Sequence, residues 1–178
     1  QRQMCIRDRL DILERKAEQG VEVRLLYDGM GSQFLLPNHY DKYLETKGIK
    51  CRIFNEFRPF LSTAQNNRDH RKILVIDGTT AFNGGVNLDD EYINEKERFG
   101  HWKDTAVMLK GEAVWSFTVM FIQMWEWKTK QLSDYEKYRP ANISQFNRIS
   151  EGYVLPYGDS PTDNEPCLLY TSPSPRDR

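Results

Sequence analysis

The sequence predicts an α/β domain with a mixed, mostly parallel β-sheet flanked by helices. In the first third of the chain, helical patterns alternate with short apolar runs typical of strands, at a spacing that favours βαβ units with parallel strands and right-handed crossovers. The composition, 39% hydrophobic and 29% charged over 178 residues, is sufficient for one globular domain with its own core.

The first elements follow from periodicity and from the residues that end helices. Leu10–Gln19 has helical periodicity and is followed by Gly20, a residue that commonly ends helices. Residues 21–27 and 49–54 are typical of strands, and residues 38–47 between them are typical of a helix.

The second half continues with shorter strands. After a long loop over residues 55–69, the sequence predicts a hairpin formed by residues 72–76 and 80–83. A polar loop or short helix is predicted over 87–100, a strand over 103–109 and a helix over 112–128. The last helix is apolar nearly all round, which predicts a buried helix. It is too short to span a bilayer.

The two ends differ from this body. Residues 1–9 and 167–178 resemble translated sequencing-adapter sequence, with ordinary disordered tails as the alternative, and we exclude both from the predicted domain. The domain is then predicted over residues 10–130, and the polar segment 131–166 is typical of a linker. On this interpretation the chain is an internal fragment of a longer protein. Cys51 is its one remaining cysteine, which favours a reducing compartment.

Charge and hydropathy limit the functional classes. With 25 basic and 26 acidic residues, the net charge is −1, so no global field attracts nucleic acid and any anion recognition has to be local. No run of 18 apolar residues occurs, and the first residues lack the layout of an export signal. The sequence therefore predicts no transmembrane segment in this chain.

Residues 69–87 concentrate groups that suit phosphate chemistry. His70 and Lys72 share one face if they lie on a strand, because side chains alternate. Gly84 and Gly85 allow the backbone to approach a ligand closely, and Asn87 adds an amide donor. A lysine, an amide and backbone donors stabilise charge that develops on a phosphoryl group, and a neutral imidazole is a suitable nucleophile.

The spacing of these groups resembles one complete copy of the HKD signature of the phospholipase D superfamily. Six positions carry the resemblance: His70, Lys72, Asp77, Gly84, Gly85 and Asn87. The motif region spans residues 65–92, and the surrounding segments resemble the amino-terminal catalytic half of bacterial cardiolipin synthases over residues 10–165. The resemblance implies a phospholipase D-like fold.

In that family one histidine attacks the phosphodiester to form a phosphohistidine, and a histidine from a second HKD copy protonates the leaving alcohol. The resemblance makes His70 a catalytic histidine and favours the nucleophilic role, which the second histidine would otherwise take. It assigns Lys72 and Asn87 to the phosphate oxygens. Asp77, five residues after Lys72, falls on the opposite strand face, which favours a structural hydrogen bond for this residue of the signature. Asp104 is the residue predicted to orient the histidine, with an ordinary strand-edge aspartate as the alternative.

The implied activity is phosphatidyl transfer between two phosphatidylglycerols at a bacterial membrane, giving cardiolipin and glycerol without metal or cofactor. The second HKD copy is expected from a missing half or a dimer partner, so the isolated fragment is expected to be nearly inactive. One alternative is a hydrolytic phospholipase or nuclease, although neutral charge disfavours nucleic acid. Another is a non-catalytic module that binds anionic headgroups.

Other polar residues near the motif have weaker assignments. Arg68 precedes His70 by one strand repeat and is assigned either to phosphate or to solvent. His39 and His101 have no motif support and are predicted to lie at the surface or in packing contacts. The acidic segment 89–92 has no role that the sequence explains.

Overall fold

The fold of the chain is known from a computed structural model, which describes residues 4–32, 36–56, 69–98, 100–141, 153–156 and 158. Four α-helices and five strands alternate along this part of the chain. They are α1 (Met4–Glu18), β1 (Arg24–Asp28), α2 (Gly29–Ser32), α3 (Tyr40–Thr46), β2 (Lys50–Phe54), β3 (Ile73–Ile76), β4 (Thr80–Gly84), β5 (Ala106–Lys110) and α4 (Val114–Thr129). Single turns of 3-10 helix cover Asp90–Ile93 and Glu136–Tyr138.

The strands form two sheets. β1 and β2 are parallel, with α2 and α3 in their connection, and β3, β4 and β5 form an antiparallel sheet with β4 in the centre. The predicted α/β class and the βαβ unit are confirmed. The prediction of a mostly parallel sheet is wrong for the described strands. Only three residues join β3 to β4, whereas a parallel connection needs about a dozen or more.

The turn of the hairpin between β3 and β4 requires residues that tolerate a left-handed backbone. Asp77 and Gly78 both have left-handed backbone, with φ of 52° and 64°, a conformation that Gly adopts freely and Asp tolerates. A Cβ atom at Gly78 would also lie 2.7 Å from the carbonyl oxygen of Tyr138 and 3.1 Å from Cδ of Pro140. The predicted hairpin is therefore confirmed, and its turn lies against residues from the carboxyl-terminal part of the domain.

Two apolar clusters hold the elements together. The first centres on Leu44, Ile49 and Cys51 and receives partly buried residues from α1, β1 and α3. The second centres on Ala81, Val114 and Phe117, and it receives partly buried residues of β3 and β5. α4 packs against β2 as well as against β3 and β4, so one helix contacts both sheets.

The prediction that this helix is buried is confirmed for one side of α4. Phe117, Ile122 and Trp125 are buried, whereas Trp127 is 52% exposed. None of the helices in the described ranges combines the length and the apolarity that a membrane crossing requires.

Helix α1 begins at Met4, six residues before the start that periodicity predicted. Residues 4–9 contain Met4, Arg7 and Arg9, which are good helix formers and allow the helix to extend. The helix therefore enters the segment that was assigned to an amino-terminal tail. The predicted domain boundaries stay a prediction.

Part of the segment predicted as a linker packs against α4 and the first sheet. Glu126 accepts hydrogen bonds from the backbone N–H of Ser133 at 2.5 Å and from the Tyr135 hydroxyl at 2.8 Å. These donors, the Ser133 backbone first, lower the pKa of Glu126. Arg24 of β1 donates a hydrogen bond to the Tyr138 hydroxyl and lies 5.2 Å from the ring centre of Trp125. Ser133, Tyr135 and Tyr138 thus contact α4 and β1, and 142–152 lie outside the described residues.

Cys51 is expected to resist alkylation in the folded chain. Its side chain is fully buried in β2, and burial, followed by the charges of Asp41 and Glu45, raises its pKa from 9.0 to about 12. Because the thiolate is the reactive form, its population at pH 8 falls roughly 1,000-fold relative to an unperturbed thiol. Peptide mass spectrometry after iodoacetamide treatment measures this rate, with the chain in guanidinium as the control. Equal rates in the folded and unfolded chain would contradict the buried position.

Candidate active site

One end of the antiparallel sheet gathers the segments that the sequence singled out. The register pairs Ile73 with Asn83, and Gly84 with Ala106. The first residue of β3, the last residue of β4 and the first residue of β5 therefore lie at the same end. Three segments meet there, and they contain His70 and Lys72, Gly85 and Asn87, and Asp104.

His70 and Lys72 lie just before β3, outside the strand in which alternation predicted a shared face. A direct contact keeps them together instead, since Nζ of Lys72 donates a hydrogen bond to the backbone carbonyl of His70 at 2.7 Å. The His70 side chain is exposed and Lys72 is half-buried. The ammonium group is therefore held beside the main chain of the proposed nucleophile.

The residues on either side of His70 are anchored by carboxylates. The backbone N–H of Asp69 donates to Asp28 at 3.2 Å, and the same carboxylate accepts from the backbone of Gly31 at 2.7 Å. The Arg71 guanidinium donates twice to Asp69, at 2.9 and 3.1 Å. Arg71 thus has its charge paired locally, and the His70 segment is attached to the carboxyl end of β1.

Sequence reasoning did not select Asp28. The signal was available, because an acidic residue at the carboxyl end of a parallel strand, followed by a glycine-rich turn, occupies the edge where α/β proteins bind ligands.

The fold leaves little space for a side chain at Gly84 or Gly85. Neither has left-handed backbone. A Cβ atom at Gly84 would lie 3.0 Å from Cβ of Ala106 and 3.1 Å from the carbonyl oxygen of Thr105. A Cβ atom at Gly85 would lie 2.5 and 2.7 Å from the two carboxylate oxygens of Asp104. The space beside each glycine is therefore filled by the start of β5, and their assignment to phosphate binding stays a prediction.

Asp104 lies two residues before β5 and is exposed. Its Oδ1 accepts from the backbone N–H of Thr105 at 2.7 Å, and its Oδ2 accepts from Nε1 of Trp102 at 3.2 Å. Among the hydrogen bonds of the described residues, none joins this carboxylate to His70. The orienting role of Asp104 stays a prediction.

Asn87 is held by an aromatic residue that the sequence did not indicate. Its Nδ2 donates to the hydroxyl of Tyr92 at 2.5 Å, and both side chains are half-buried. The ring of Tyr92 contacts that of Trp102 edge to face, with centres 4.5 Å apart and planes at 61°. Tyr92 belongs to the acidic segment 89–92, whose role could not be explained from the sequence.

The structure separates Asp77 from the other signature residues. It lies in the turn after β3, at the opposite end of the hairpin from His70 and Lys72, and four strand residues correspond to roughly 13 Å. Its left-handed backbone in the turn fits a structural role. Arg68 lies outside the described residues.

The two other histidines have no assigned role in this site. His101 is exposed, and His39 precedes α3 with a left-handed φ of 58°. His39 lines a groove of about 550 Å³ at the carboxyl ends of β1 and β2. The groove also contains Arg52 and Lys128, which are paired with Glu45 and Glu56, so it does not resemble an anion site. The described residues contain no group of three or more His, Cys, Asp or Glu side chains arranged to hold a metal ion.

Comparison with known protein families identifies the family of this chain. The family described as "Cardiolipin synthase, PLD-like domain" matches residues 3–125. The chain belongs to this family. The match begins before the predicted domain start at Leu10 and ends inside α4.

Individual relatives agree with this family. The chain is 57% identical over 157 residues to a Streptococcus mutans protein named only as uncharacterized, covering 88% of this chain and 33% of that protein. It is 44% identical over 113 residues to "Cardiolipin synthase 2" of Staphylococcus epidermidis, covering 64% and 23%. It is 45% identical over 119 residues to the cardiolipin synthase of Geobacillus kaustophilus, covering 66% and 24%. The chain thus spans about a quarter to a third of the length of these relatives.

Replacing Gly85 by alanine is expected to displace the Asp104 carboxylate, because the new methyl group would overlap both of its oxygens. The Trp102 indole N–H then loses its acceptor, and its proton resonance in an NMR spectrum should move. Gly84→Ala is the matched comparison, since its methyl group meets the backbone of β5 and is expected to cost about 1–3 kcal/mol of unfolding free energy. An unchanged indole resonance in Gly85→Ala would contradict the geometry at Asp104.

Proposed function

We propose that this chain is the HKD-bearing part of a phosphatidyltransferase that converts two phosphatidylglycerols into cardiolipin and glycerol. The observation that carries the proposal is the sheet register, which gathers the segments containing His70, Lys72, Asn87 and Asp104 at one end of the antiparallel sheet. Membership of the cardiolipin synthase family supports the same chemistry. The choice of donor and acceptor follows from the names of the relatives.

The reaction proceeds in two displacements. The imidazole of His70 attacks the phosphorus of the first phosphatidylglycerol. The bond from phosphorus to the oxygen of the headgroup glycerol breaks, and this glycerol leaves with a proton from a second histidine. The headgroup hydroxyl of the second phosphatidylglycerol then attacks the phosphohistidine and returns a proton to that histidine. His70 is regenerated and cardiolipin is released. We propose that a further HKD copy, in a longer chain or in a dimer partner, supplies the second histidine.

Lys72 and Asn87 stabilise the charge that builds on the phosphoryl oxygens. The Lys72 ammonium lies at the main chain of His70, where a phosphate under attack by the imidazole would come close to it. The carboxamide of Asn87 has two N–H donors, of which one is engaged with Tyr92 and the other is available for a phosphoryl oxygen. Fixed donors of this kind act most strongly in the transition state, where the oxygens carry more charge.

Individual side chains, rather than the overall charge of the protein, determine how the site recognises an anionic lipid. The net charge is −1 and Arg71 is paired with Asp69, so an anionic lipid is recognised by contact with Lys72 and Asn87 rather than by a general positive field. The substrates are membrane lipids, and we propose that the full-length protein works at a bacterial membrane. The displacement itself requires no metal ion or organic cofactor.

Incubating the full-length protein with labelled phosphatidylglycerol in vesicles tests the proposal. Formation of cardiolipin and glycerol is expected, whereas phosphatidic acid would indicate a hydrolase and no turnover would favour a headgroup-binding module. His70→Ala removes the nucleophile and is expected to lower kcat at least 1,000-fold. His101→Ala is the matched control, because His101 is exposed and has no assigned part in the site. Undiminished cardiolipin formation by His70→Ala would refute the assigned role.

Asp104→Ala is expected to lower kcat by roughly 10²- to 10⁴-fold with little change in KM. A carboxylate that fixes the tautomer and orientation of a catalytic imidazole acts on the reactive state more than on substrate binding. Asp134→Ala, an exposed aspartate after α4, provides the control in the same assay. A rate equal to that of the unmodified protein would show that Asp104 does not orient the histidine.

A further inference from the structure

We propose that Tyr92 and Trp102 are positioning residues that hold the Asn87 amide and the Asp104 carboxylate in the site. The inference deepens the proposed function and rests on it, because it assigns a purpose to two residues that touch the proposed site groups. The aromatic bridge, defined as Tyr92 with Trp102, joins the segment after β4 to the segment before β5.

On one side, Tyr92 determines where the Asn87 amide points. Its hydroxyl accepts one N–H of Asn87 at 2.5 Å, which fixes the plane of the carboxamide and therefore the direction of its second N–H. A side-chain amide without such a partner rotates about its terminal bond through a broad range. The contact thus restricts the remaining N–H to one direction before any phosphate arrives.

On the other side, Trp102 restricts the Asp104 carboxylate. The indole N–H is a donor only, and it contacts Oδ2 of Asp104 at 3.2 Å while the backbone N–H of Thr105 holds Oδ1 at 2.7 Å. A carboxylate has about four acceptor positions, so two remain for an imidazole N–H. Both oxygens lie within 2.7 Å of the position that a Cβ atom of Gly85 would occupy, so the carboxylate fills the space that the missing side chain leaves.

The bridge itself is anchored by backbone contacts. The Asn94 side chain accepts from the backbone N–H of Trp102 at 2.5 Å and donates to its carbonyl at 3.0 Å. Asn94 ends the 3-10 helix Asp90–Ile93 that contains Tyr92. At the beginning of that helix, Oδ1 of Asp89 accepts a hydrogen bond from the backbone N–H of Asp90 at 2.7 Å. The acidic segment 89–92 therefore forms a capped turn of helix that supports Tyr92.

The contact between the two rings makes the bridge one unit. Their centres are 4.5 Å apart in an edge-to-face arrangement, a geometry that contributes about 0.5–1.5 kcal/mol beyond the burial of the rings. Because both rings are half-buried, a shift of one changes the packing of the other. The donor for phosphate and the carboxylate near the histidine are thereby kept at a fixed separation.

Phenylalanine variants test the bridge, because they remove the polar atom and keep the ring. Trp102→Phe in the full-length protein is expected to lower kcat for cardiolipin formation about 10-fold with unchanged KM, as is usual when a group supporting a site residue is lost. Tyr92→Phe is expected to raise KM and lower kcat, because Asn87 contacts phosphate in the ground state as well. Trp127→Phe and Tyr43→Phe are the matched controls, since these exposed rings lie outside the site.

If Tyr92 and Trp102 had a purely structural role, the variants would have a lower melting temperature, and kcat and KM of the folded protein would be unchanged. Melting temperatures equal to that of the unmodified protein, together with the expected kinetic changes, support positioning. Kinetic constants of both variants equal to those of the unmodified protein would overturn it.

Titration of the chain with inorganic phosphate separates this inference from the proposed function. Binding is followed through the side-chain amide resonances of Asn87, and Tyr92→Phe is expected to raise Kd about 10-fold whereas Tyr43→Phe leaves it unchanged. If the full-length protein made no cardiolipin, the proposed function would fail, and this titration would still decide the role of Tyr92. An unchanged Kd in Tyr92→Phe, or no phosphate binding by the unmodified chain, would overturn the inference.

Discussion

The candidate site depends on how closely β5 approaches the end of β4. Two successive residues without side chains make that approach possible, because the space beside Gly84 is filled by Ala106 and the space beside Gly85 by the Asp104 carboxylate. A side chain at position 84 would push the start of β5 away from β4, and one at position 85 would displace the Asp104 carboxylate. Either change would move Asp104 relative to the end of the sheet where His70 and Asn87 lie.

The rest of the local structure holds loop residues that the sheet alone would leave unrestrained. Asp28 ties residue 69 to the end of β1, and the aromatic bridge ties Asn87 to the segment before β5. One anchor holds the segment before β3 and the other holds the segment before β5, which are the two edge strands of the sheet. Residues in loops act with precision when they are fixed to a rigid scaffold, and here β1 and the three-stranded sheet provide that scaffold.

Packing explains why the two small sheets form one body. A two-stranded parallel sheet buries little area by itself, and isolated pairs of strands are only marginally stable in water. α4 packs against β2 and against β3 and β4, and the stacked Arg24, Trp125 and Tyr138 side chains tie β1 to the end of the domain. The anchor at Asp28 thus connects the His70 segment to a sheet that is itself held in place.

The sequence by itself determined the approximate positions of most helices and strands, the hairpin at Asp77–Thr79 and the family, because local periodicity, turn chemistry and motif spacing are properties of consecutive residues. It also indicated His70, Lys72, Asn87 and Asp104 as candidate site residues, through the resemblance to the HKD signature and its surroundings. It failed on the overall character of the sheets, because only one of the three described strand pairs is parallel. Its expectation of parallel neighbours came from the first βαβ unit, and pairing depends on which elements meet.

Only the tertiary structure decided why the glycines are present and what supports Asn87 and Asp104. Gly85 and Asp104 are 19 positions apart, and their contact arises from the pairing of β4 with β5. The link from Asn87 through Tyr92 and Trp102 to Asp104 likewise requires the capped helical turn at 90–93 to fold against the segment before β5. Such contacts depend on distances between segments remote along the chain, which spacing within one motif does not encode.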